Sequence, residues 1–234
     1  MEIYFMQLIS LSRRDIIASL IIGEICAWLL IAIIKSLSIS VPALYALPVY
    51  FPVLCAIGLY LGYLIGKKIP VVYQLAKFVL VGGFNTLVDW GVLAFLIYLF
   101  SSYFFAGPQD TIFVVFGMTF VFYTMYKSIS FVVASINSYF WNKFWTFKRE
   151  TTENISKEFL QFFLVTIIGF LVNVVIASSI FRYMPPVAGL SVNQWSMLAA
   201  VVATAISMIW NFIGYKFIVF NAPKKEAEVQ VAGG

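Results

Sequence analysis

The sequence predicts an all-α polytopic membrane protein: a bundle of six transmembrane helices, with a four-helix core of two tandem parallel two-helix repeats and an N-terminal two-helix hairpin. Apolar residues make up 62% of the 234 positions and charged residues 11%, whereas soluble domains average about 45 to 50% and about 25%. Mean hydropathy is +0.97. Six stretches also approach the roughly 20 apolar residues that cross a bilayer. These observations indicate an integral membrane protein.

Short polar connections separate most of the six candidate spans, and the cytoplasmic connection 148–158 has only eleven residues. No soluble segment is therefore large enough to fold as a catalytic domain, and we expect no enzymatic activity and no catalytic residues. The spans are 16–34, 43–66, 78–100, 128–147, 159–181 and 195–217.

Basic residues are distributed unevenly between the two sides of the predicted bundle. Cytoplasmic loops of membrane proteins retain Lys and Arg. With the N-terminus inside, twelve of the fifteen basic residues fall on the cytoplasmic side, and only Lys35, Lys127 and Arg182 fall outside. The sequence therefore predicts a plasma-membrane protein with both termini in the cytoplasm. The net charge of +5 then reflects orientation, and we expect no nucleic-acid partner.

Three regions follow from this pattern: an N-terminal two-span hairpin (1–70), a four-span domain (71–221) and a disordered cytoplasmic tail (222–234). The segment 111–126 is apolar but only sixteen residues long. A span there would move the basic run 143–157 to the outside. We therefore expect an outer-leaflet or re-entrant helix, or an extension of the fourth span.

The four-span domain contains an internal repeat. Aligning 77–90 with 161–174 pairs Phe78 with Phe162 and Asp89 with Asn173, and aligning 142–147 with 215–220 pairs Lys143 with Lys216. Each repeat holds two spans, an even number, so the second begins on the same side as the first. The repeats are therefore predicted to be parallel, related by an axis along the membrane normal.

Polar and small residues recur at helical spacing along one face of each of these four spans. Such faces let membrane helices approach closely and hydrogen-bond, so packing alone explains many of the positions. The main candidates are Asn85 and Asp89 in the third span, Asn137 and Trp141 in the fourth, Asn173 in the fifth and Asn211 in the sixth.

Asp89 is the strongest of these candidates. It lies about 18 Å beyond Lys77 at about 1.5 Å per residue, which is near the middle of the membrane. An ionisable group at that depth is by default a functional-site hypothesis. The structural alternative is a buried carboxyl group that Asn85 or another amide satisfies. Glu24 in the first span raises the same question without a surrounding polar stripe.

Basic and aromatic residues mix at the predicted cytoplasmic ends of the spans, where Trp141, Asn142 and Lys143 are joined by Lys77 and Lys216. Ammonium groups at headgroup level suit a lipid phosphate. An aromatic belt with positively charged anchors is the structural alternative. The chain has no His and only two Cys, each within a span, so we expect neither a metal site nor a cofactor.

Four motifs in order resemble the GtrA-like family of small four-span membrane proteins, over about residues 73–221. The motifs are KFVLVGGFNTLVD (77–89), NSYFWNKFWTF (137–147), QFFLVTIIGFLVN (161–173) and WNFIGYKFIVF (210–220). By this resemblance Gly82, Gly83, Asn85 and Asp89 form the first-helix motif. Asn142 and Lys143 stand where the family commonly has Asn before a basic residue.

The chain departs from the family at Phe144, where a second basic residue is often found, and in its two additional N-terminal spans. The family is associated with polyprenyl-phosphate-linked sugars. The resemblance implies a translocase, or flippase, for such a glycolipid in the synthesis of cell-surface polysaccharide or glycoconjugates.

On this hypothesis Lys77, Lys143 and Lys216 hold the lipid phosphate, and Asn85, Asp89 and Asn137 offer hydrogen bonds to the sugar as it crosses. The alternative is a non-transporting membrane anchor or regulatory partner of a polyprenyl-phosphate glycosyltransferase. A third hypothesis is an ion or small-solute transporter that uses Glu24 and Asp89 as an acidic pair. The expected partners are the glycolipid, membrane lipids and such a transferase, and a homodimer would enclose a shared path.

Overall fold

The computed structural model describes residues 10–36, 39–105, 107–149, 152, 154–187 and 189–221. Its α-helices confirm the predicted helical polytopic fold. They are α1 (Arg13–Ser36), α2 (Leu47–Gly66), α3 (Pro70–Tyr103), α4 (Phe122–Trp141), α5 (Ile155–Tyr183) and α6 (Val192–Gly214). The predicted tail 222–234 lies outside the described residues.

Five of the described helical segments are long and apolar enough to cross a membrane. They are Arg13–Ser36, Leu44–Gly66, Pro70–Tyr103, Ile155–Tyr183 and Trp195–Val219. The fourth predicted span corresponds to α4, which has sufficient length at 20 residues but does not reach the hydropathy of the other five. Its serine, asparagine, tyrosine and lysine side chains lower that hydropathy, and several of them bond to α3.

The chain divides into two compact units, unit 1 (Met1–Thr146) and unit 2 (Phe147–Gly234). Unit 1 contains the N-terminal hairpin together with α3 and α4, and unit 2 contains α5 and α6. The hairpin therefore packs on the first repeat. A core of Ile22, Cys26, Leu59, Val81 and Phe84 joins α1, α2 and α3.

Small residues allow α2 to approach its neighbours closely. A Cβ atom added at Gly62 would collide with the Cβ atom of Ala76 on α3, and one added at Gly23 on α1 would collide with the backbone of Pro52 on α2. Helices in a lipid bilayer have no hydrophobic driving force for association, so they depend on close van der Waals packing. The short distance between these backbones provides such packing. Sequence spacing alone did not identify these contacts.

The segment 111–126 differs from its prediction. Residues Thr111–Val115 (β1) and Met118–Val121 (β2) form an antiparallel hairpin, and helical structure starts only at Phe122. Phe116 and Gly117 both have positive φ, 51° and 76°, which matches the two-residue type I′ turn that suits the twist of paired strands. The expected outer-leaflet or re-entrant helix is wrong for 111–121, because β-branched and aromatic residues flank a turn-forming glycine. The alternative prediction, a helical extension of the fourth span, is correct from Phe122 onward.

Both helix pairs end in a π-helical segment. Asn142–Thr146 (π1) continues α4, and Tyr215–Val219 (π2) continues α6. The sequence alignment of the two repeats pairs Asn142 with Tyr215 and Thr146 with Val219, so π1 and π2 begin and end at aligned positions. Because π-helical turns are rare and frequently occur at functional sites, their coincidence supports the internal repeat.

Candidate functional site

A seam of polar side chains follows the contact between α3 and α4. Asn137 Nδ2 donates to Asn85 Oδ1 at 3.5 Å, and Ser130 Oγ donates to Asp89 Oδ1 at 2.7 Å. The Lys127 ammonium group donates to the other oxygen of Asp89. Asp89 therefore faces α4, and its side chain is 17% exposed. We call Asn85, Asp89, Lys127, Ser130 and Asn137 the polar seam.

Lys127 is a member of the seam that the sequence interpretation missed. It was assigned to the outside from the charge distribution, whereas the structure pairs it with Asp89, and its side chain is 40% exposed. It is the only charged residue in α4, which was an available signal. Lys127 reaches Asp89 because of the register in which α3 and α4 pack. Helical periodicity within one helix does not predict that register.

A buried cluster around Asp15 joins α1, α3 and π1. The Asp15 carboxylate accepts hydrogen bonds from Tyr73 Oη at 2.8 Å and Trp145 Nε1 at 3.0 Å, and it is bonded to the Lys77 ammonium group. Asp15 is 1% exposed and Lys77 is 2% exposed. Because these residues meet, the start of α1, the start of α3 and π1 lie at the same end of unit 1, which we call the basic end.

Lys77 was predicted to hold a lipid phosphate, and in the structure its ammonium group is instead bonded to a carboxylate of the chain itself. It also lies over the Tyr73 ring, 4.5 Å from the ring centroid. Sequence reasoning missed Asp15 altogether. Ser12 three residues earlier, whose hydroxyl donates to Asp15 at 2.8 Å, marks the start of α1, but a helix-start residue gives no indication of a partner in α3.

Lys143 and Asn142 are also buried at the basic end. Lys143 is 3% exposed, and its Nζ donates to Tyr139 Oη at 3.1 Å. Asn142 Nδ2 donates to the Ser138 carbonyl at 2.9 Å, whereas its Oδ1 has no hydrogen-bond partner in the part of the chain that the structure describes. Trp141 is half-buried, with its ring edge-on to Phe84 at 6.0 Å between centroids.

Unit 2 has its own polar contact, between α5 and α6. Asn173 Nδ2 donates to Thr204 Oγ1 at 3.2 Å and to Ser207 Oγ at 3.4 Å. Asn211 lies so close to Gly169 that a Cβ atom there would overlap its side-chain oxygen. That oxygen, like the one of Asn142, is without a hydrogen-bond partner among the described residues.

Lys216 differs from its repeat partner Lys143 in exposure. It is half-buried, with its ammonium group 5.7 Å from the ring centroids of Phe212 and Phe217. Aromatic faces attract cations, so both rings stabilise the ammonium group at the end of π2. The ammonium group of Lys216 therefore remains accessible to an anion.

Some of the predicted residues contact one another in the structure, whereas others contact different partners. Asn85 and Asn137 meet directly, and Asp89 meets α4 through Lys127 and Ser130, which were not among the predicted site residues. Glu24 accepts a hydrogen bond from Trp28 Nε1 at 2.7 Å within α1, so Glu24 and Asp89 have different partners and the structure does not support the acidic pair. Within the described segments, no group of three or more His, Cys, Asp or Glu is arranged to hold a metal ion.

Comparison with known proteins adds one finding. A family model described as GtrA/DPMS, transmembrane domain, matches residues 77–220. The match begins in α3, ends just after π2 and covers more than half of the chain, leaving out α1 and α2. No curated protein and no solved structure matches the chain.

Proposed function

The chain belongs to the GtrA/DPMS transmembrane-domain family, and on that premise we propose that it is a membrane translocase for a polyprenyl-phosphate-linked sugar. In this proposal it acts in the plasma membrane, with both termini in the cytoplasm, during the synthesis of cell-surface polysaccharide or glycoconjugates. The single observation that carries the proposal beyond family membership is the polar seam between α3 and α4.

A sugar that crosses the hydrocarbon region must exchange its hydrogen bonds with water for other partners. An unpaired hydroxyl in an apolar environment costs about 2–7 kcal/mol, and a sugar carries several. The polar seam offers amide, hydroxyl, carboxylate and ammonium groups along the contact between α3 and α4. In the structure these groups bond to one another, so the sugar would replace these contacts one at a time.

The lipid phosphate requires cationic partners. Lys216 is half-buried and retains access, whereas Lys143 is packed beside Tyr139 and Lys77 is bonded to Asp15. A phosphate role for Lys77 therefore requires that it leave Asp15. The sequence contains no Walker loop, so the proposed driving force is the substrate gradient.

A lipid-translocation assay in liposomes tests the proposal. We expect wild type to move a polyprenyl-phosphate sugar across the bilayer, and Asp89→Asn and Asn137→Leu to lower the initial rate at least about tenfold, equivalent to about 1.4 kcal/mol. Ser128→Ala is the matched control, because among the described residues the Ser128 hydroxyl bonds only to the Thr124 carbonyl of its own helix. Wild-type protein that moves no such lipid would exclude the translocase function.

One observation favours the alternative function, a non-transporting anchor or regulatory partner of a polyprenyl-phosphate glycosyltransferase. Lys77 and Lys143 are 2% and 3% exposed and make intramolecular contacts, as expected of structural residues. Copurification with a transferase whose activity rises in its presence, without lipid movement in liposomes, would support this alternative.

A further inference from the structure

A groove of about 340 Å³ opens at the basic end of unit 1. It lies between the start of α1 and the region where α4 continues into π1. Its lining residues are Arg14, Ala18, Phe140, Trp141, Phe144 and Trp145. Two of these come from the N-terminal hairpin, outside the residues 77–220 that match the family model.

The lining combines one cation with a largely aromatic wall. Arg14 is exposed and has no hydrogen-bond or ion-pair partner among the described residues. Phe140 and Phe144 stack with an angle of 9° between their planes and are 48% and 54% exposed. Guanidinium groups match phosphate oxygens with two parallel hydrogen bonds, and flat exposed rings favour an apolar chain. The groove therefore suits a phosphate attached to a lipid chain.

The Asp15 cluster holds this groove in shape. Trp145 forms part of the groove wall, and its Nε1 donates to Asp15 at 3.0 Å, while Asp15 is bonded to Lys77. Because Arg14 directly precedes Asp15, the contacts that fix Asp15 also fix the backbone from which Arg14 projects. A site whose supporting contacts are already formed loses less entropy on binding.

The local charge also favours an anion. Arg14 is exposed at the start of α1. The neighbouring Asp15 is 1% exposed and its charge is paired with Lys77. The residues that line the groove therefore include one cation, Arg14, and no carboxylate.

We propose that this groove binds the phosphate end of a polyprenyl phosphate, with Arg14 bonded to the phosphate and the four aromatic rings in contact with the first isoprene units. The identity of the lipid rests on the proposed function. The N-terminal hairpin then supplies an exposed cation for the phosphate, whereas Lys77 and Lys143 of the family-matched region are buried.

Binding of farnesyl phosphate to the purified full-length protein tests this assignment. We expect Arg14→Gln to weaken binding at least tenfold and Arg14→Lys to weaken it less, because lysine keeps the charge without the paired hydrogen bonds. Arg13→Gln is the matched control and should change binding less than twofold, since Arg13 does not line the groove. Phe140→Ala should weaken binding of both farnesyl phosphate and farnesol, whereas Arg14→Gln should leave farnesol binding unchanged.

Specific outcomes overturn the assignment. Equal losses in Arg14→Gln and Arg13→Gln would indicate a general positive surface. Competition by phosphatidylglycerol as strong as that by farnesyl phosphate would indicate an ordinary phospholipid contact. If wild type translocates a polyprenyl-phosphate sugar but Arg14→Gln binds farnesyl phosphate like wild type, only the groove assignment fails. If Arg14→Gln selectively loses binding while wild type moves no lipid, the groove stands and the translocase function fails.

Discussion

At the scale of single residues, two ion pairs dominate the described part of unit 1, and they differ in exposure. Asp15 and Lys77 are almost fully buried, whereas Lys127 beside Asp89 is 40% exposed. Desolvation of a buried pair is repaid only when other hydrogen bonds satisfy it. Asp15 has such bonds from Ser12, Tyr73 and Trp145, so this pair is built as a structural contact.

Removal of one member of the Asp15–Lys77 pair should destabilise the protein strongly. We expect Lys77→Met to lower the free energy of unfolding by about 3–5 kcal/mol, because the Asp15 carboxylate remains buried without its cation. The double variant Asp15→Asn/Lys77→Met should recover part of this loss. Unfolding in detergent, followed by total tryptophan fluorescence, measures both, and an equal loss in the single and double variants would contradict a buried ion pair.

The Asp89–Lys127 pair should show a weaker coupling. Exposed ion pairs contribute about 0.2–1 kcal/mol, and the partial burial of Asp89, which is 17% exposed, places this pair near the upper end of that range. A double-mutant cycle with Asp89→Asn and Lys127→Gln measures the coupling. Ser128→Ala replaces Lys127→Gln in the control cycle, which should give no coupling because Ser128 bonds within α4.

At the scale of elements, the contact between α2 and α3 is set by a small residue. Within one helix, Gly62 lies against Ala76 while Gly58, one turn earlier, has no atom within 4 Å of an added Cβ. The same residue type thus has two different environments on one helix. This contrast gives a direct test of how the hairpin packs on α3.

Gly62→Ala should destabilise the protein by about 1–3 kcal/mol, because an extra methyl group in a filled contact forces the helices apart. Gly58→Ala should be neutral or stabilising by up to about 1 kcal/mol, since alanine restricts the unfolded chain. Unfolding in detergent measures both variants. Equal effects of the two substitutions would show that the α2–α3 contact is not as close as described.

At the scale of the whole molecule, the predicted orientation in the membrane rests on the charge distribution and on which helix ends lie together. The contacts of Asp15 with Lys77 and Trp145 place the starts of α1 and α3 and the end of α4 at one end of unit 1. Those segments carry Arg13, Arg14 and Lys143. The basic residues at these helix ends therefore lie on one side of unit 1, as the charge distribution predicts. Orientation relative to the cytoplasm is the remaining prediction.

Substituted-cysteine labelling in intact cells tests that orientation. A membrane-impermeant thiol reagent should label Gln109→Cys, and it should label Lys67→Cys only after permeabilisation. Both positions are exposed, and the native Cys26 and Cys55 are buried. Labelling of Lys67→Cys in intact cells would place the basic end outside and overturn the predicted orientation.

Local sequence determined the features that depend on one helix at a time. Hydropathy along the chain located the membrane helices, and the repeated Lys-Phe ending of 142–147 and 215–220 marked the repeat that π1 and π2 share. Helical spacing also placed Asn85, Asp89 and Asn137 on faces that pack in the structure. These properties can be predicted from the sequence because hydrophobicity and helical periodicity depend on residues that are close together in the chain.

Only the tertiary structure decided which residue meets which. Lys127 reaches Asp89, and Asp15 reaches Lys77 and Trp145, through the registers of helices that are far apart in sequence. The strand pairing of 111–121 likewise depended on a turn at Phe116 and Gly117 that apolar content does not distinguish from a helix. Partner choice is a property of three-dimensional packing, because a side chain's periodicity gives its face but not the residue that packs against that face.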